Sequence, residues 1–170
     1  VLWPLLLQVI LIALNAVFAC AEIAVISVND NKLAQLVAQG DKRALRLARL
    51  TSRPAQFLAT IQIAITLSGF LGSAFAADHF SDRLVALLLR AGVPIPEKTL
   101  DTLSVILITL LLSDFTLVFG ELVPKRLAMK KSESLAMGLS ALISAISAIF
   151  APVVTVLTAS TNGVLRLLGV

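Results

Sequence analysis

Three apolar blocks, each long enough to cross a bilayer as a helix, limit this chain more than any other feature. They cover residues 3–27, 55–77 and 102–120. Each holds about 19 to 25 residues, roughly 28 to 37 Å of helix, against a hydrocarbon core near 30 Å. Apolar residues make up 58% of the 170 and charged residues only 14%, where a water-soluble domain carries about 25% charged. A soluble enzyme, a disordered tail and a nucleic-acid-binding module all fit that deficit poorly. The expected fold class is all-α and integral to the membrane.

The N-terminal block carries no Lys or Arg through residue 21 and runs on to about residue 28. It is too long, and wrongly flanked, for a cleaved signal peptide, and is read as a span. Residues 29–53 form no plain loop. Leu33, Leu36 and Val37 recur at helical spacing, and after Gly40-Asp41, a break and a new N-cap, so do Leu45, Leu47, Ala48 and Leu50. The opposite face holds Lys42, Arg43, Arg46 and Arg49, the pattern of short amphipathic helices at a membrane surface. Residues 78–101 read as an outer segment: one short helix through Leu84, Leu87 and Leu88, a turn at Gly92, Pro94 and Pro96, and Asp101 as N-cap of the third span.

The connections after the first and third spans hold ten Lys and Arg, against three in the outer segment. The positive-inside rule then puts the N-terminus outside and those two connections in the cytoplasm. The same rule accounts for the net charge of +4 without invoking a polyanion. Residues 135–168 stay ambiguous. They are apolar, divided by Pro152, and semi-polar in their second half through Thr155, Thr158, Ser160, Thr161 and Asn162. A fourth crossing competes with a belt or re-entrant helix along the inner leaflet.

Ionisable side chains inside spans are costly and are functional candidates by default. There are three: Glu22, Asp114 and Glu121. Asp114 and Glu121 are seven residues apart and share a helix face. Competing structural readings are snorkelling of Glu121 with Lys125 four residues on, pairing of Glu22 with a cytoplasmic Arg, and a hydrogen-bonded Asp114. Asn15, Thr60, Gln62, Thr66 and Ser68 add neutral polarity, and Ser68, Gly72 and Ala76 form a ridge of small residues suited to helix packing or dimerisation. Gly120 and Pro124 bracket Glu121, so the helix is expected to unwind there. Its freed carbonyls and the carboxylate would be hard oxygen ligands of the kind Mg²⁺ takes. The single Cys20 permits no internal disulfide, and His79 stands alone. With no nucleophile–base pair and no phosphate loop, the chain is not expected to be an enzyme, nor to hold a tightly bound cofactor.

Phe18-Ala19-Cys20-Ala21-Glu22-Ile23-Ala24, Ile61-Gln62-Ile63-Ala64-Ile65-Thr66-Leu67 and Phe119-Gly120-Glu121-Leu122-Val123-Pro124-Lys125 resemble the three signature stretches of the CNNM/CorC transmembrane domain, also called domain of unknown function 21. The resemblance covers essentially the whole chain. It implies a homodimer with three spans per chain, an outward N-terminus in a bacterial-type inner membrane, and residues 135–168 as a belt helix. It also implies a cytoplasmic CBS-domain pair of the same full-length chain after residue 170.

Members of this family are associated with efflux of Mg²⁺ and other divalent cations, with Na⁺ as coupling ion, from an inward-facing acidic cavity. Carried over, Glu121 and Glu22 match the family's glutamates and are the candidate metal ligands. Gln62, Thr66, Ser68 and Asp114 complete the candidate ion- or substrate-binding set. Ala19 and Ala21 stand where ion-binding members usually have Ser, and Ile65 and Gly69 where they usually have Asn. The second motif looks more like the hemolysin-like branch, part of which is associated with export of diamines such as putrescine and cadaverine. Three functional readings follow: divalent-cation exporter, polyamine exporter, and a non-transporting dimeric scaffold for cytoplasmic regulatory domains.

Overall fold

The computed structural model describes residues 2–170, and every described element is helical. Helix α1 spans Leu2–Ile26, α2 Asp30–Ala38, α3 Lys42–Thr51, α4 Pro54–Arg90 and α5 Glu97–Leu117. A π-helical turn at Val118–Leu122 leads into α6, Val123–Lys130, and α7 spans Ser132–Leu167. Among the described residues, four helical runs are long and apolar enough to cross a membrane: Leu2–Ile26, Pro54–Arg90, Glu97–Lys130 and Ser132–Leu167. That is one more than the three spans expected. The addition is α7, which runs unbroken through Pro152. Its semi-polar half explains itself. Thr155, Thr158, Ser160 and Thr161 each donate to the carbonyl four residues earlier, at 2.9 Å, so the hydroxyls are satisfied inside the helix.

Two further boundaries differ from the sequence expectation. Helix α4 does not end near residue 77 but continues through the charged stretch Asp78, Asp82 and Arg83 to Arg90. Helix α5 begins at Glu97, with Pro96 before it and no side-chain cap. Asp101 is therefore not an N-cap; its carboxylate instead accepts from Ser81 Oγ at 3.1 Å.

The chain divides into two compact units. The first comprises Val1–Ala19 and Ala64–Arg126. Within it, Ser81 of α4 and Ser104 of α5 are buried, while Leu5, Val9, Phe70, Leu71, Leu110 and Leu111 are exposed. A small or polar inside under an apolar outside is the pattern expected of helices whose solvent is lipid.

The second unit comprises Cys20–Ile63 and Leu127–Val170. Asn29 caps α2 by accepting from the amides of Asn31 and Lys32. Gly40 then reverses the chain at φ +82, a left-handed conformation open to glycine at no steric cost. Asp41 caps α3 through Arg43 N–H at 2.8 Å and Ala44 N–H at 3.3 Å. Helix α3 packs on α7 and α2 on α3: Leu33, Ala44 and Leu47 are buried, as are Ala136, Met137 and Ile143 of α7. Lys32 Nζ lies 2.6 Å from Glu133 Oε2 at the edge of that interface. Both side chains are largely exposed, so the pair contributes about 1 kcal/mol at most.

Candidate functional site

The third signature stretch lies on the π turn, and Pro124 explains the form it takes. In a regular helix the amide of residue 124 would bond to the carbonyl of residue 120. Proline has no N–H, and its ring crowds that carbonyl. The backbone widens instead: Val123 N–H reaches back five residues to the Val118 carbonyl, as single-turn π bulges do, often at functional sites. The turn widens rather than unwinds, and helix resumes at Val123. The Gly120 carbonyl, which has no donor at residue 124, is not left bare. Asn15 Nδ2, on α1, donates to it at 3.1 Å.

This contact also explains the glycine. A Cβ on Gly120 would stand 3.0 Å from Asn15 Nδ2 and 3.5 Å from Thr116 Cγ2. Gly72 is matched in the same way to Gln8, whose Nε2 lies 3.0 Å from the position a Cβ would take. Together these contacts make a polar seam inside the first unit. Gln8, Asn15, Ser68, Gly72 and Thr116 line a void of about 10 Å³, the space of one water. Gln8 Oε1 and Asn15 Oδ1 are buried there without a hydrogen-bond partner. Two carbonyl-type acceptors are thus buried inside the unit, next to the stretch that carries Glu121.

The expected site residues separate by position. Glu121 follows Gly120 on the π turn and is half-buried, and Pro124 is buried. Ser68, Gly72 and Ala76 are all buried, and the first two belong to the seam, so the small ridge packs inside this chain. Thr66 and Asp114 are exposed on α4 and α5, Asp114 among Leu110, Leu111 and Phe115. Asp114 therefore does not join the seam. Glu22 is half-buried on α1 and Gln62 exposed on α4. Both belong to the second unit. Ala19 and Ala21, at the positions of the expected hydroxyls, are fully buried methyl groups. Among the described residues, no group of three or more His, Cys, Asp and Glu side chains could hold a metal ion. Sequence reasoning missed Gln8. Its signal was its spacing, since Gln8 and Asn15 are seven apart on one helix face.

Long apolar helices with a glutamate on a π turn beside a buried amide seam define a multi-pass helical membrane protein with a polar interior. The family model of the cyclin M transmembrane N-terminal domain, CNNM, matches residues 6–170, and the chain belongs to that family. A UPF0053 protein of Synechocystis sp. is 35% identical over 95% of this chain and 36% of its own length. The UPF0053 protein YugS of Bacillus subtilis is 29% identical over 94% of this chain and 37% of its own. A Haemophilus influenzae protein named polyamine export protein is 30% identical over 94% of this chain and 36% of its own. The chain thus spans about a third of the length of these relatives.

Proposed function

We propose that this chain is the membrane part of a cation exporter and that Glu121 is its principal charged ligand. The observation that carries the reading is the π turn. Glu121 directly follows Gly120, whose carbonyl is bonded by Asn15 of the buried amide seam. A carboxylate held at membrane depth is expensive unless a cation or a protein donor meets it. Glu22, the acid of the first motif, is a second candidate ligand, and Gln62, Thr66 and Ser68 are accessory oxygens. Asp114 enters this reading only where a partner subunit covers its face.

Efflux of Mg²⁺ or another divalent cation, coupled to Na⁺, is the substrate reading that family resemblance supplies. Export of a diamine is the second reading, and a specific observation favours it. Ala19 and Ala21 put buried methyl groups where a metal shell would want oxygens. An ammonium group needs only two or three acceptors, and a methylene chain tolerates apolar walls. The name of the Haemophilus influenzae relative points the same way. With either substrate the working protein is a homodimer with its N-terminus outside and a cytoplasmic CBS pair, and it performs no enzymatic chemistry.

The test is Glu121→Gln in the full-length protein reconstituted into vesicles. Cation flux falls at least about tenfold if the carboxylate meets the substrate, the order of one charge-assisted contact. Unchanged flux from an intact assembly would leave only the scaffold. Mg²⁺ and putrescine are then compared as thermal stabilisers of the purified protein, since a ligand of the native state raises stability. Stabilisation by putrescine alone, lost in Glu121→Gln, selects the diamine; stabilisation by Mg²⁺ alone selects the metal.

A further inference from the structure

Within the second unit, a pocket of about 370 Å³ opens between α3, the first turn of α4 and the middle of α7. Its polar lining is cationic: Arg46, Arg49 and Arg53, joined by Gln56, Ser144 and Ser147. No carboxylate lines it. Among the described residues, none of these three arginines forms an ion pair; the basic partners of the nearby acids Asp41 and Glu133 are Arg43 and Lys32. A spacing of three residues puts Arg46 and Arg49 on one side of α3, and Arg53, in the bend between α3 and α4, lines the same pocket, so the three guanidinium groups repel one another.

Two buried atoms separate this pocket from an ordinary solvated basic face. Arg46 Nε and Ser147 Oγ are inaccessible to solvent and lack a hydrogen-bond partner. A buried guanidinium N–H without an acceptor carries a desolvation penalty that water cannot relieve. The pocket also takes in Arg53, Gln56 and Phe57, at the start of a 37-residue helix. Pro54 has no N–H and the Phe57 amide is bonded to the Arg53 carbonyl, which leaves Ala55 and Gln56 as the first-turn amides without an intrahelical acceptor, at a helix end whose positive pole favours anions. Convergent guanidinium forks, a hydroxyl donor and a helix start all ask for one chemistry, an anion with several acceptor oxygens.

We propose that this pocket is a binding site for a phosphate ester, with Arg46 and Arg49 as its clamps and Ser147 as a neutral donor. The ester is carried either by an anionic lipid headgroup or by a soluble phosphate. The proposal does not depend on the transport reading, since it uses neither Glu121 nor the polar seam.

The full-length protein is purified in phosphatidylcholine nanodiscs with and without phosphatidylglycerol. Native mass spectrometry then counts the phosphatidylglycerol retained on each chain, and inorganic phosphate is titrated separately against thermal unfolding in the phosphatidylcholine discs. Retained phosphatidylglycerol identifies the lipid source, and stabilisation by phosphate alone identifies the soluble one. Either signal falls about tenfold in Arg46→Gln and in Arg49→Gln, the loss expected for one bidentate contact. Lys42→Gln removes the same charge from the same helix outside the pocket and leaves the signal within about twofold. Arg49 is exposed, so its variant keeps the test valid if Arg46→Gln fails to fold. Binding of neither probe, or an equal loss in Lys42→Gln and Arg49→Gln, overturns the proposal.

Discussion

Pro124 has no N–H to give to the carbonyl four residues before it, and that carbonyl is Gly120's. From this one missing donor follow the π turn, the side-chain bond from Asn15 and the requirement for glycine at 120. The causal order can be tested. In Gly120→Ala the new methyl group meets Asn15 Nδ2 at 3.0 Å and pushes the amide off the carbonyl it satisfies. The expected cost is about 1–3 kcal/mol, from overpacking and a buried acceptor left bare, seen as a lower midpoint of thermal unfolding in detergent. Gly138→Ala is the control: nothing lies within 4 Å of its Cβ position. Alanine there should raise stability by about 0.5–1 kcal/mol, the usual gain in a helix interior. Equal midpoints for the two variants would show that the Asn15 contact does not fix the turn.

Whole helices show where sequence reasoning holds and where it stops. The apolar blocks and the Gly40-Asp41 break between α2 and α3 were legible because each has a local physical cause: length against bilayer thickness, a left-handed glycine, a capping carboxylate. The continuation of α4 to Arg90 was not, because hydropathy marks where apolar surface ends and not where hydrogen bonding ends. The bond from the Ser81 hydroxyl to Asp101 joins residues 20 apart and leaves no mark in a local window. Gln8 and Asn15 stood in the sequence, but their partners, Gly72 and Gly120, could be found only by packing. The Asp41 cap makes an element-scale prediction. The Arg43 amide bonded to its carboxylate, helped by the Ala44 amide and the Arg43 charge, holds the Asp41 pKa below its ordinary value. A pKa lowered by folding adds stability above the unfolded value, which is lost as pH falls through the folded one. Protection of the Arg43 and Ala44 amides from hydrogen exchange should therefore persist at neutral pH and fade below about pH 4. Asp41→Asn, which caps without titrating, should lose that dependence, and the same pH profile in both proteins would refute it.

For the molecule as a whole, packing decides which of the four long apolar helices among the described residues have to cross the bilayer. Length and composition admit α7, but its neighbour argues otherwise. The first half of α7 buries Met137 and Ile143 in the unit where α3 buries Ala44 and Leu47, and the two helices are in contact. Helix α3 also carries Lys42, Arg43, Arg46 and Arg49. Four cations on ten residues cannot lie in hydrocarbon, at about 2.5–3.5 kcal/mol apiece by insertion scales, so α3 stays at the surface. The part of α7 packed on it stays there too. Beyond Pro152 the hydroxyls bond back to their own helix, so this half enters the apolar edge of the bilayer cheaply without having to cross it. We therefore expect a belt, with both ends of α7 on the cytoplasmic side. With the buried Cys20 replaced by alanine, Ser134→Cys and Gly169→Cys should both react with a membrane-impermeant thiol reagent only in inside-out vesicles. Labelling of Gly169→Cys from the outer face, with Ser134→Cys labelled from the inner, would make α7 a fourth crossing.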